Sequence, residues 1–261
     1  MNIKVLKSDK DESVFLIKGI DSVIANTIRR AIINEVPSLA IEEIEFIKNN
    51  SALYDEMLAH RFGLVPLTSD LKSYVLREEC KCEGKGCHNC QLVFSLKANG
   101  PCTVYASDIK TKDSKVKPVY PKMVIVKLLK GQDLELEGII VLGKGKTHQK
   151  FSPGLAYYRA YPEFEIKTCS ACEECIKACP KKILKLDGKK VKVIDIEKCD
   201  LCKACEEKCK EDAIKVDGSK TDFIFIIEPW GQLSAKEILM SVADILDEKL
   251  DNFEKLVNKI K

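Results

Sequence analysis

No apolar run in the sequence comes near the roughly twenty residues that a membrane helix needs. Its longest candidate, Phe223-Ile224-Phe225-Ile226-Ile227, stops at Glu228. The chain also lacks an excess of one charge: 43 Lys and Arg face 40 Asp and Glu, mixed along its length, for a net +3. That balance excludes a nucleic-acid binder built as one basic surface. The start, Met1-Asn2-Ile3-Lys4, soon turns charged and carries no signal-peptide core. Missing too are a nucleophile set beside a base, paired reactive carboxylates, a clustered Asp triad, and any flavin, haem or dinucleotide motif. The expectation is a soluble, cytoplasmic chain with no catalytic residues of its own. At 261 residues, 45% hydrophobic and 32% charged, it has room for two or three domains and can bury a core.

What the chain does have is cysteine. Thirteen are present: four between 80 and 90, Cys102 alone, and eight between 169 and 209. A disulfide scaffold spreads its cysteines through a short secreted chain, whereas tight Cys-x-x-Cys spacing in a reducing compartment points to metal.

Residues 169–209 hold one spacing twice: Cys169-x-x-Cys172-x-x-Cys175-x-x-x-Cys179-Pro180, then Cys199-x-x-Cys202-x-x-Cys205-x-x-x-Cys209. Each cysteine recurs thirty residues later. The doubled run is similar to that of bacterial-type ferredoxins with two cubane clusters. There, three thiolates on a tight loop hold one cube, and the fourth, expected at the start of the following helix, is directed at the other. The resemblance implies two [4Fe-4S] clusters, one on Cys169, Cys172, Cys175 and Cys209, the other on Cys199, Cys202, Cys205 and Cys179. Lys210 stands where the first run has Pro180, which leaves the ligand count unchanged. Ile183, Leu184, Val191, Val193, Ile194, Ala213 and Ile214 supply a miniature core. Zinc or plain redox thiols are the rival reading, and they leave the third and fourth members of each run without a role.

Cys80-x-Cys82-x4-Cys87-x2-Cys90 offers four soft ligands, with Gly84 and Gly86 letting the backbone fold tightly enough for them to converge. Four thiolates leave no open position, so a Zn(2+) ion here is structural. His88 is an alternative ligand, and unmetallated loop thiols are the rival reading. Cys102, without a partner at metal spacing, reads as a small core residue.

Alternating apolar residues predict a strand pair at the start (Ile3, Val5, then Val14, Leu16) joined by a polar turn at 8–12. Asp21 and Ser22 cap a predicted helix carrying Ile24, Ile28, Ile32 and Val36, stopped by Pro37. Strand patterns follow at 39–47, 92–96, 123–129, 134–141 and 223–227. Ser234 then caps a helix expected to run to the end of the sequence. Its stripe is Ile238, Leu239, Val242, Ile245, Leu246, Leu250, Phe253, Leu256, Val257 and Ile260, longer than one small sheet covers. Two readings stand for it: a helix packed on its own sheet, or one that faces a partner.

The stretch Asn26-Thr27-Ile28-Arg29-Arg30-Ala31 to Pro37-Ser38-Leu39-Ala40-Ile41 resembles the first helix and following strand of the RNA polymerase α-like assembly subunits. So does Asn49-Asn50-Ser51-Ala52-Leu53-Tyr54-Asp55-Glu56-Met57-Leu58-Ala59-His60-Arg61-Phe62-Gly63-Leu64-Val65-Pro66-Leu67. That group includes bacterial α, the third-largest eukaryotic subunit and their archaeal D-type counterpart, and the archaeal branch is the most similar. The resemblance takes in the Cys80–Cys90 loop, the stretch at 145–153 and the terminal strand and helix, so it covers essentially the whole chain.

It implies an α+β fold with a split dimerisation domain, 1–48 plus 222–261. Between the halves lie an inserted, mixed and β-rich domain with the zinc-type loop (49–167) and a ferredoxin-like iron–sulfur domain (168–221). It further implies pairing with a small α-like partner, subunit L, as the platform on which large catalytic subunits assemble. The nucleotidyltransferase chemistry then belongs to the whole enzyme, and nucleic acid is met only through it. The interface implied is Ile24, Ile28, Arg29, Arg30, Ile238, Val242, Ile245, Leu246, Leu250, Phe253 and Leu256, with Arg29-Arg30 and 55–61 turned to the large subunits. Without the resemblance, Arg29 and Arg30 read as solvated helix charges and His60 as a structural histidine. The clusters would stabilise the insertion or make assembly sensitive to oxygen or iron supply. A ferredoxin-like electron-transfer protein or redox-enzyme subunit is the alternative.

Gly143-Lys144-Gly145-Lys146-Thr147 imitates a phosphate loop. The Walker pattern needs glycine at 140, where Ile140 stands, so nucleotide binding is rejected.

Overall fold

A computed structural model describes residues 1–167, 169–188 and 190–260. Thr168, the expected start of the cysteine-rich segment, and Lys261, the end of the terminal one, lie outside the described residues, as does Lys189. The first half contains β1 (Asn2–Ser8), β2 (Ser13–Lys18), α1 (Ser22–Asn34), β3 (Pro37–Asn49), α2 (Asp55–Gly63), β4 (Gln91–Asn99), β5 (Cys102–Tyr105) and β6 (Lys110–Thr111). There follow β7 (Val124–Leu128), β8 (Asp133–Lys144), β9 (Gly154–Ile166), α3 (Glu174–Ala178), β10 (Leu184–Asp187), β11 (Lys190–Val193), α4 (Ala204–Glu207), β12 (Ile214–Pro229) and α5 (Ala235–Val257). The architecture is mixed and rich in sheet, with few helices. None of the described helices is long and apolar enough to cross a membrane.

The chain divides into two compact units. One comprises Met1–Ser8, Ser13–Thr27 and Tyr157–Ile226. It is built on a four-stranded sheet in the order β1-β2-β12-β9. The hairpin expected at the start is present, antiparallel with Ile3 opposite Ile17 and Val5 opposite Phe15. Leu16, Ile224 and Ile226 are buried together on it, with Tyr161 packed alongside. The Tyr158 ring meets Phe223 edge-on and stacks on Phe225, each at 5.5 Å. The same unit carries the β10-β11 hairpin with the two short helices α3 and α4.

The other unit comprises Asp9–Glu12, Ile28–Ala156 and Ile227–Lys261. Its main sheet runs β3-β8-β4-β6. Leu39 lies opposite Leu142 and Ile41 opposite Ile140, while Leu92 faces Ile140 on the far side of β8. In β4 the alternation is clean: Leu92, Phe94 and Leu96 are buried and Val93 is exposed. Helix α2 inserts Leu58 and Phe62, one turn apart and both fully buried. The Phe62 ring lies 6.4 Å from that of Phe94. Each such side chain stabilises the fold by about 1.5–3 kcal/mol. Cys102, on β5, packs against this core, as expected of a small core residue.

Helix α5 starts on a capping box. The Glu237 amide donates to Ser234 Oγ at 3.3 Å, and the Ser234 amide donates to Glu237 Oε2 at 2.8 Å. The helix stops at Val257, short of Ile260, which the sequence pattern had included.

Candidate metal centres and partner surface

The loop from Cys80 to Cys90 brings its four thiols together. Sγ–Sγ distances are 3.4 Å for Cys80–Cys82, 3.5 Å for Cys80–Cys87 and Cys82–Cys90, and 3.9 Å for Cys87–Cys90. Local turns make the convergence: the Glu83 amide donates to the Cys80 carbonyl, the Lys85 amide to Cys82, and the Cys90 amide to Cys87. Gly84 and Gly86 adopt φ of 77° and 86°, the left-handed backbone their residue type favours. The neighbouring Cys80 thiol, by hydrogen bonding to Cys82, draws the Cys82 thiol down to about 6, whereas burial pushes Cys90 up. The group has the chemistry and spacing of a metal site. His88, the alternative ligand, is exposed and stands outside it.

Sequence reasoning did not single out Arg77. It precedes the loop and donates from Nη1 to Glu43 Oε1 at 2.8 Å and from Nη2 to Gln91 Oε1 at 3.2 Å. One guanidinium thus bridges β3 and β4 beside the thiols.

In the eight-cysteine segment the sequence repeat is also a conformational repeat. Ala171, Glu173 and Lys182 have φ of 61°, 63° and 52°, and their counterparts thirty residues on, Leu201, Lys203 and Asp212, have 59°, 60° and 47°. Each of these non-glycine residues sits in a region that costs roughly 1–2 kcal/mol. Ala171 and Glu173 separate the first three cysteines of one run, and Leu201 and Lys203 those of the other, so the same bends recur between the same cysteines of both runs.

Cysteines of one run lie close to cysteines of the other. The thiol of Cys175 is pushed up by burial, and the further groups that raise it are Cys169, Cys209 and Cys172. Burial likewise raises Cys199, with Asp200, Cys202 and Cys179 adding to it, and takes Cys205 up to about 11, with Cys179 and Cys199 contributing. Cys179, Cys199, Cys202 and Cys205 line one small cavity whose apolar wall includes Phe164, Ile183 and Val216. Two amides donate to sulfurs of the first quartet, Ala171 to Cys169 Sγ at 3.3 Å and Ala213 to Cys209 Sγ at 3.2 Å. Contrary to expectation, the fourth cysteine of each run does not start a helix. The short helices α3 and α4 come before Cys179 and Cys209, and they carry the third cysteines, Cys175 and Cys205. The cause is local: the next apolar pairs, Ile183-Leu184 and Ala213-Ile214, lead into β10 and β12.

The stripe on α5 is divided. Ile238 and Val242, assigned from sequence to the partner face, are covered by the chain itself at 0% and 3% exposure. Ile245 and Leu246 are half-buried. Leu250, Phe253 and Leu256 are 65%, 65% and 63% exposed. On α1, Ile24 and Arg30 are exposed, and Ile28 and Arg29 half-buried. The phosphate-loop imitation is a tight turn against the end of α1. The Lys146 amide donates to the Asn34 carbonyl, and a Cβ on Gly145 would come within 1.9 Å of the Ile33 carbonyl oxygen.

Residues 41–153 match the family model described as the RNA polymerase Rpb3/RpoA insert domain. The chain is similar over nearly its whole length to DNA-directed RNA polymerase subunit Rpo3 of Methanosphaera stadtmanae, 40% identical with 99% of each chain covered. The Methanothermobacter thermautotrophicus subunit Rpo3 is 41% identical, covering 96% of this chain and 97% of its own. That of Archaeoglobus fulgidus is 35% identical, covering 99% and 98%.

The chain belongs to the archaeal Rpo3 family of RNA polymerase subunits. None of the names of these relatives is that of a redox carrier, so the electron-transfer reading is not favoured. The region matched by the insert-domain model contains α2, the Cys80–Cys90 loop, β4, β8 and most of β3; of these, α2, β3, β4 and β8 contribute buried side chains to one apolar core.

Proposed function

We propose that this Rpo3-family chain is a non-catalytic assembly subunit of archaeal RNA polymerase, of the D type that corresponds to bacterial α. It pairs in the cytoplasm with the small α-like subunit L to form the platform for the large catalytic subunits. The observation that carries the reading is the uncovered second half of α5, on a chain whose full length matches Rpo3 subunits. Leu250, Phe253 and Leu256 recur at helical spacing and leave an apolar strip for a partner helix. Residues 1–48 and 222–261 serve as the split dimerisation domain, with Ile24, Ile28, Arg29 and Arg30 contributing from α1, while 49–167 and 168–221 are insertions. Nucleic acid meets the chain only through the assembled enzyme.

The cysteines have a supporting role in this reading. A tetrahedral zinc tetrathiolate with Zn–S of about 2.3 Å requires sulfurs about 3.8 Å apart. The distances among Cys80, Cys82, Cys87 and Cys90 bracket that value, which favours structural Zn(2+). Two [4Fe-4S] clusters fit the crossed quartets, Cys169, Cys172, Cys175 and Cys209 for one, and Cys199, Cys202, Cys205 and Cys179 for the other. Support comes from the shared cavity, the repeated left-handed bends and the amides that donate to sulfur. When bound, such clusters supply one-electron redox change. Here their ligation stabilises a segment whose own apolar core is small, and so ties assembly to iron and oxygen.

The test is an affinity pull-down of the tagged chain from its native cells without oxygen, read by mass spectrometry. A small α-like protein together with the large polymerase subunits is expected. Recovery of dehydrogenases or reductases without polymerase would overturn the proposal.

A further inference from the structure

We infer that Arg159 is the positioning residue that seats the second cysteine quartet on the β1-β2-β12-β9 sheet; the inference rests on the cluster reading above. The two quartets differ in how they are joined to that sheet. In the first, Cys169 follows shortly after the end of β9 and Cys209 shortly before the start of β12. Two of its four ligands are therefore held by chain continuity at both ends of the insertion. In the second, none of Cys179, Cys199, Cys202 and Cys205 adjoins a strand of that sheet in sequence. A link through space has to do what the covalent chain does for the first.

Arg159 makes that link. It is half-buried on β9, and its guanidinium donates from Nη1 to the carbonyl of Cys199 and from Nη2 to the carbonyl of Glu197, the latter at 2.6 Å. Both carbonyls belong to the turn that delivers Cys199 into the cavity. A planar guanidinium satisfies two acceptors with fixed mutual geometry, which the point charge of a lysine does not reproduce. Other strands add to the seat. Lys4 of β1 lies 4.0 Å from the Glu197 carboxylate. Gly218 of β12 lies so close to Ala160 and Leu201 that a Cβ there would be 2.7 Å from the Ala160 methyl. Arg159 also places a positive charge beside a ligand of a group that carries net negative charge in both oxidation states, which favours retention of the reduced cluster.

The test uses the full chain prepared without oxygen, as wild type, Arg159→Ala, Arg159→Lys and Cys199→Ser. Iron, acid-labile sulfide and zinc are counted per chain, and the dithionite-reduced clusters are read by electron paramagnetic resonance. Wild type should hold about eight irons, and Arg159→Ala about four, as for Cys199→Ser. Its spectrum should change from that of two interacting clusters to that of one isolated cluster, with zinc retained. Arg159→Lys should start near the wild-type iron content but lose half of it faster in air. Full iron and an unchanged spectrum in Arg159→Ala, in a wild type that holds eight, would overturn the role of Arg159 alone. Loss of all iron together with the zinc would make Arg159 a general structural residue and also overturn it. A wild-type chain without iron would overturn the cluster reading and the inference with it.

Discussion

The Lys249 ammonium lies 2.9 Å from the Glu35 carboxylate, joining α5 to the residue just beyond the end of α1. This ion pair marks where the helix parts from its own unit. N-terminal to it, Ile238 and Val242 are sealed into the fold; from Leu250 onward the apolar side chains lie open.

On the open half, Leu250→Asp with Phe253→Asp should abolish pairing with the small α-like subunit while leaving the stability of the isolated chain within about 0.5 kcal/mol of wild type, as for exposed substitutions. Ile238→Asp, in contrast, buries a charge and should unfold the chain, at a cost of several kcal/mol. Co-purification after co-expression separates the two effects. Pairing that survives the double substitution would show that α5 is not the partner surface.

The Glu35–Lys249 pair has a sign in pH. The hydrogen bond from Lys249 holds the Glu35 carboxyl below its ordinary value of 4.5, with the charges of Lys249, Lys144 and Lys146 adding to it and burial opposing. A depressed carboxylate stabilises the fold above the unfolded pKa and loses that contribution as pH falls through the folded one. Because Lys249 is more than half exposed, the pair is expected to stabilise by only about 0.2–1 kcal/mol. Lys249→Met should therefore lower the melting temperature at neutral pH, and the difference from wild type should shrink toward zero as pH falls through the depressed pKa of Glu35. A difference that does not vary with pH would assign the effect to packing of the lysine stem.

In the Cys80–Cys90 loop, removal of metal by a strong chelator should loosen residues 80–90 first. Hydrogen exchange at the amides of Glu83, Lys85 and Cys90, which now donate within the loop, is the direct readout. Cys82→Ser should remove one zinc equivalent per chain. The β3-β8-β4-β6 core, which does not depend on these thiols, should stay folded. Unchanged exchange after chelation would mean that the turns alone hold the loop.

Glu173 offers a test by substitution to glycine. Its side chain is exposed and its φ is 63°, so Glu173→Gly removes a steric penalty of roughly 1–2 kcal/mol against a smaller gain in unfolded-chain entropy. A rise in melting temperature of the apo chain is the expected outcome. The same change at a residue with helical φ would instead destabilise by about 1 kcal/mol. A fall on Glu173→Gly would indicate that the bend is not intrinsic to the cluster loop.

Finally, Gly145→Ala forces a methyl group against the Ile33 carbonyl and should destabilise by about 1–3 kcal/mol through overpacking. Calorimetry reads it directly. No change would mean that the end of α1 shifts freely.

Much of the local order was legible from residue pattern, because its causes are local. A short apolar strand pattern announced β4, Ser234 announced the start of α5, and the polar stretch after Ser8 announced the first hairpin. The two cysteine spacings marked where thiols gather, since a loop that short leaves its cysteines few other directions to point. Less visible were features set by residues far apart in the chain. The lengths of β8 and β12 come from pairing with distant strands. The helical stripe on α5 looked uniform in sequence, yet the fold covers Ile238 and Val242 and leaves Leu250, Phe253 and Leu256 bare. Periodicity reports which side chains share a face, and not how far along the helix a cover extends.

Arg159 marks the same limit more sharply. In sequence it is one basic residue in the run Tyr157-Tyr158-Arg159-Ala160-Tyr161, with no motif around it. Its acceptors are backbone carbonyls forty and thirty-eight positions away, and carbonyls are present at every residue. Composition and spacing by themselves marked the two stretches where this protein concentrates its thiols. Tertiary structure alone decided which arginine meets the carbonyls of Cys199 and Glu197 and which half of the last helix is left exposed, because both depend on groups that meet only after the strands have paired.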